Sequence, residues 1–225
     1  MLRTLAVFSL LMAATGAAPV TAADDTPELS FEGLELVEKN RHREFYADPE
    51  ADWSAYTQIM LDPATVAFRK NWQRDQNRSQ PFKVDARDME RIKTDLSELF
   101  GEVFADELSG DGGYQLTTET GDNVMRITPH IVDLDVYAPD TATPARTLQY
   151  SESAGRMTLK LEIFDSVTGD LVATFSDRQE DPRLGWLEWR TRVSNRQDAE
   201  RMVERWATRL RERLDELRGG QAAAD

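Results

Sequence analysis

Apolar residues recur along this chain at two periods, and the switches between them mark out its elements. Met89, Ile92, Leu96, Leu99 and Val103 follow one another at steps of three and four, which places them on one face of a helix. Asp85 stands just ahead, where its carboxylate can accept hydrogen bonds from the free amides of a starting helix, and Gly110 is a suitable stop. A second stripe, Ala199, Met202, Val203, Trp206, Leu210, Leu214 and Leu217, predicts a helix from about Ser194 to Arg218 whose other side is almost wholly charged. Gly219-Gly220 would end it, leaving residues 219–225 as a disordered tail.

Between the helices the period falls to two. Met157, Leu159, Leu161 and Ile163 alternate with Thr158, Lys160 and Glu162, which predicts a strand over Arg156 to Phe164 with one face on a core. A turn at Asp165 to Asp170 leads to a return strand through Leu171, Ala173 and Phe175, so the pair is a hairpin. Tyr114–Glu119 and Asn123–Tyr137 also read as strands joined in a hairpin at Thr120-Gly121-Asp122. Within the second of them Met125, Ile127 and Ile131 share one parity, whereas Leu134 and Val136 share the other, which implies a bulge near Val132-Asp133. Gln58–Asp62 and Ala64–Phe68 suit a pleated surface on either side of Pro63, as an edge or bulged strand would. Asn71–Lys83, Ala138–Ser153 and Arg178–Val193 read as loops.

Each helix has one narrow apolar stripe and so covers one sheet face. The expected fold is therefore α+β: a single mostly antiparallel or mixed sheet of about five strands, with two amphipathic helices on one face. Residues 53–218 form that domain, and 23–52 form an extended amino-terminal arm that docks through Leu29, Phe31, Leu34, Leu36 and Val37.

The opening residues belong to neither period. Arg3, an apolar run from Leu5 to about Ala14, then Val20-Thr21-Ala22 have the build of a signal peptide over 1–22, with cleavage after Ala22 or Ala23. A retained anchor fits less well, because a bilayer span needs about 20 apolar residues. Removal of the leader takes Arg3 with it and leaves 26 basic residues against 41 acidic ones, a net charge of −15. Such a surplus repels phosphate backbones, so nucleic acid is not an expected partner. The chain of 225 residues has no cysteine. This excludes disulfides, thiolate metal sites, cysteine nucleophiles and a cysteine-borne lipid anchor.

Trp53-Ser54-Ala55-Tyr56 runs into Ile59-Met60-Leu61-Asp62-Pro63 and Val66; the Met89–Val103 helix, the Asp165–Asp170 turn with Thr168-Gly169, and Trp206-Ala207-Thr208-Arg209-Leu210-Arg211-Glu212-Arg213-Leu214 follow in that order. This ordered set resembles the bacterial family known as domain of unknown function 3313, over about Leu34 to Leu217. The resemblance implies an exported envelope protein, in that family often a lipoprotein, and brings no catalytic residue with it. The missing cysteine sets this chain apart from the lipoproteins.

Residue types that carry chemistry are sparse. His42 lies among Lys39, Arg41 and Arg43 and reads as a solvated residue; His130 reads as a hydrogen-bonded strand histidine or, alternatively, a base. Asp133 and Asp135 are two apart on a strand, as an acidic edge or as ligands for a hard cation. Trp186 and Trp189 share a segment with Arg183 and Arg190, residue types that dominate interface energetics, and are the candidate partner-binding residues; the same tryptophans would also serve to cap the core. No cofactor is implied. These features point to an exported, periplasmic or secreted, non-enzymatic binding or assembly component whose partner is another envelope protein. The alternative is a carboxylate- or metal-dependent hydrolase of envelope material.

Overall fold

A computed structural model describes residues 29–30, 33–79, 83–136, 150–151, 155–180, 188–189 and 192–222. In chain order the elements are β1 (Leu29–Ser30), β2 (Leu34–Lys39), β3 (Arg43–Ala47), β4 (Gln58–Leu61), β5 (Thr65–Phe68), α1 (Trp72–Ser79), α2 (Ala86–Ser109), β6 (Gln115–Leu116), β7 (Val124–Val136), β8 (Tyr150–Ser151), β9 (Gly155–Asp165), β10 (Leu171–Glu180), β11 (Glu188–Trp189) and α3 (Arg192–Ala222). Nine strands form one mixed sheet in the order β1-β2-β3-β10-β9-β7-β4-β6, with β5 also paired to β7; β8 and β11 make a separate pair. The fold class is α+β as expected, but with nine strands in the sheet rather than five and three helices among the described residues rather than two.

The expected elements need three corrections. Residues 34–47, expected in an arm, form the β2–β3 hairpin, and β3 pairs with β10 from Ala47↔Ala173 to Arg43↔Asp177. Leu34 and Phe45 are buried there, although Val37 stays exposed, so only part of the segment's apolar content marks a core-facing strand. Residues 114–119 do not form a hairpin with β7, because β4 inserts between them and runs parallel to both β6 and β7. Asn71–Lys83, expected as a loop, contains α1, a polar helix that shows no apolar stripe because Trp72 alone anchors it in a core.

The helix α2 starts as its sequence predicts. Asp85 accepts hydrogen bonds from the Arg87 and Asp88 amides at 2.8 and 2.9 Å, and the Asp88 carboxylate reaches back to the Asp85 amide. Its buried side is broader than expected, since Phe100, Phe104 and Leu108 join Leu96 and Leu99. The helix α3 buries Met202, Val203, Trp206, Leu210 and Leu214. Each such side chain contributes about 1.5–3 kcal/mol. Both stripes enter one core with the inward residues of β3, β7, β9 and β10. Arg211 of α3 also donates to the carbonyls of Glu107, Leu108 and Gly110, which caps the carboxyl end of α2 with a cation. The predicted stop at Gly219-Gly220 is not made, and α3 continues to Ala222. No helix among the described residues is long and apolar enough to cross a membrane.

Candidate functional site: an arginine cleft at a strand bulge

The strand β7 pairs with β9 in regular antiparallel register from Met125↔Asp165 to Val132↔Thr158, and resumes at Asp135↔Arg156 and Val136↔Gly155. In between, Asp133 and Leu134 together face the single residue Met157. Asp133 takes up the irregularity with φ 53°, a left-handed conformation that Asp tolerates better than most residues. The parity change read from the sequence is this bulge. Ile127 and Ile131 are buried before it and Leu134 after it. Asp135 thereby leaves the core side and lies opposite Arg156.

The carboxylate of Asp135 holds two guanidinium groups. Arg156 Nη2 is 3.1 Å from one of its oxygens and Arg69 Nε is 2.8 Å from the other. Arg69 follows β5 directly and donates its amide to the Leu134 carbonyl. Its Nη1 makes a 2.8 Å bond to Asp75 in α1. The Asp75 bond, with Asp135 and against the effect of burial, raises the Arg69 pKa; the Arg69 bond in turn holds the Asp75 carboxyl below its ordinary value. The Trp72 indole donates to the Val136 carbonyl at 2.8 Å and stacks on Phe68 at 4.1 Å, which fixes α1 to the same strand end. On the other side Arg178 of β10 is paired with Thr158, and Thr158 with Val132, in one cross-strand row.

These elements enclose a cleft of about 310 Å³ lined by Arg69, Asp133, Arg156, Met157, Thr158 and Arg178. Three cations therefore line one recess of a strongly acidic protein. Arg178 is exposed, and its guanidinium has no ion pair among the described residues. Gly155, next to Arg156 in β9, has φ +145°, and a Cβ there would lie 2.5 Å from the Asp135 carbonyl oxygen.

Asp133 and Asp135 do not form the cation site considered from the sequence. Asp135 is committed to Arg69 and Arg156, and no group of three or more metal-ligating side chains occurs among the described residues. His130 is a hydrogen-bonded strand histidine, with Nδ1 2.8 Å from Thr65 Oγ1 and Nε2 3.4 Å from Glu162. Trp189 lies in β11, opposite Tyr150 of β8. Its side chain, and Arg183, Trp186 and Arg190 altogether, lie outside the described residues, as does most of the Ala138–Ser153 connection and the leader over 1–22. Sequence reasoning found the bulge but missed the cleft, since Arg69 lies just after β5, Arg156 in β9 and Arg178 in β10, and the three share no local motif.

A model for the protein of unknown function family DUF3313 matches residues 29–210. The chain belongs to this family. None of the curated proteins matches it. Among solved structures it is similar to the PelC dodecamer from Paraburkholderia phytofirmans, at 8% identity and a TM-score of 0.37, over 75% of this chain and 96% of that one. It is also similar to a DUF330 protein from Xanthomonas campestris, at 13% identity and a TM-score of 0.39, over 80% and 94% of the two chains.

Proposed function

We propose that this DUF3313 protein is exported to the bacterial envelope and acts there as a non-enzymatic binding or assembly component, using the bulged end of its sheet. The observation that carries the reading is the arginine cleft at the end of β10. The segment with Arg183, Trp186, Trp189 and Arg190 follows directly on that strand's last residue, Glu180. Preformed recesses with a few fixed polar groups are where proteins hold ligands, and Trp and Arg are the residues that carry binding energy at partner surfaces. The leader supplies the compartment: a short cationic start, an apolar run and small residues at Val20-Thr21-Ala22.

The test has two arms. Expressed with its leader, the protein is to be recovered from the periplasm or medium with Ala23 or Asp24 as its first residue. A photo-crosslinking residue at position 189 then captures another envelope protein, whereas the same residue at Val167, which is 57% exposed at the opposite end of β9, captures none. Full-length protein beginning at Met1 in the cytoplasm, or equal capture from both positions, contradicts the proposal.

A further inference from the structure

We infer that the cleft between β7, β9 and β10 binds a small oxyanion, a carboxylate or phosphate group held by the Arg156 and Arg178 guanidiniums beside Thr158. The inference deepens the proposed binding role by naming a ligand class at the same end of the sheet, and rests on that role only for its biological setting.

Four observations converge on it. The recess is concave, at about 310 Å³, large enough for a phosphate or a small polycarboxylate. Two of its three cations are held in place: Arg156 and Arg69 share Asp135, Arg69 is further tied to Asp75, and α1 is pinned by Trp72. Donors remain after those pairs are made. A guanidinium has five N–H groups in a planar fork that matches two oxygens of one carboxylate or phosphate. Arg156 is tied to Asp135 through Nη2 and its side chain is 43% exposed, and Arg178 has no ion pair among the described residues. Finally, the placement runs against the molecule's own charge. Within the lining three arginines stand beside one carboxylate, Asp133, while Asp135 and Asp75, which are not in the lining, pair with Arg69 and Arg156 and leave Arg178 without an ion pair among the described residues.

Asp133 gives the inference a second handle. Its charge opposes a bound anion, yet its backbone role at φ 53° is one that Asn fills equally well. Asp133→Asn therefore removes a repulsion without disturbing the bulge, and Arg178→Gln removes an attraction from an exposed side chain.

The experiment is titration calorimetry of the purified chain with inorganic phosphate and, separately, citrate, in a low-salt buffer free of both. At least one is expected to bind with a Kd of about 1 mM or tighter. Arg178→Gln weakens that binding roughly tenfold, as loss of a charge-assisted pair does, and Asp133→Asn tightens it about threefold. Binding of citrate alone assigns the site to carboxylates, and binding of phosphate assigns it to phosphate-bearing ligands. Heat from neither anion, binding that Arg178→Gln leaves unchanged, or weakening by Asp133→Asn overturns the inference. Thermal melts of both variants close to the parent's confirm that the effects are local. Because the measurement uses purified protein and no partner, its failure is distinct from failure of partner capture in cells.

Discussion

The strands β9 and β10 have two ends that solve the same problem in opposite ways. At the turn end Asp165 and Ser166 find their partners nearby. Asp165 accepts from the Val167 and Thr168 amides at 2.8 Å each, its other oxygen accepts from the Tyr56 hydroxyl at 3.0 Å, and the Asp165 amide donates to the Asp170 carbonyl. Ser166 both accepts from and donates to the Gly121 backbone. At the bulged end the ladder is broken, and charges are held by partners from β5, β7 and α1 with donors to spare. A closed network of short-range bonds stabilises and leaves nothing to offer a ligand. A scaffolded surplus of cations stabilises less and can bind.

The two ends separate most sharply through their glycines. Gly155→Ala forces a Cβ against the Asp135 carbonyl at a φ of +145°, and about 3 kcal/mol of stability is expected to be lost in urea unfolding. Asp165→Ala at the other end removes three bonds to a charged acceptor and costs about 2 kcal/mol. That carboxyl is also pH-sensitive. Burial alone would raise its pKa, but the Thr168 and Val167 amides and the Tyr56 hydroxyl override it and hold the value below 3.8. Its stabilisation is complete above pH 3.8 and is lost as the pH falls through the lowered value, so Asp165→Asn should flatten the acid limb of the stability curve. Gly169→Ala, at φ +75° with open space around it, costs only about 1 kcal/mol. Smallest of all is Arg178→Gln, within about 0.5 kcal/mol of the parent in stability. Yet this change, the least costly in stability, is the one expected to weaken anion binding at the bulged end roughly tenfold, which is the contrast in its plainest form.

Much of this was legible in the chain. The period-two run of Met157 to Ile163, the period-3.6 stripes of α2 and α3 and the Asp85 cap are local signals, and the structure has each of them. So is the bulge, because a parity switch between Ile131 and Leu134 has few other causes. The pairing of β6 with β4 was not legible: two-residue strands carry no period, and strand neighbours depend on the whole sheet. The end of β10 was hidden for a different reason. Asp177 and Gln179 occupy its inward parity, where apolar residues are the usual sign of a strand. They are buried because α3 supplies partners, with Arg209 2.6 Å from Asp177 and Arg205 2.7 Å from Gln179. Burial pushes the Asp177 carboxyl up against the pull of Arg209 and Arg43. With that strand end unread, Arg178 fell in an expected loop, and the cleft it lines had no visible third wall.

The most direct test is to follow the backbone amide resonances of the protein as phosphate or citrate is added. If the bulged end is the binding end, the shifts concentrate at Val132–Asp135, Arg156–Thr158 and Arg178, and the Asp165–Asp170 turn stays still. Shifts centred on that turn, or none with either anion, would contradict it.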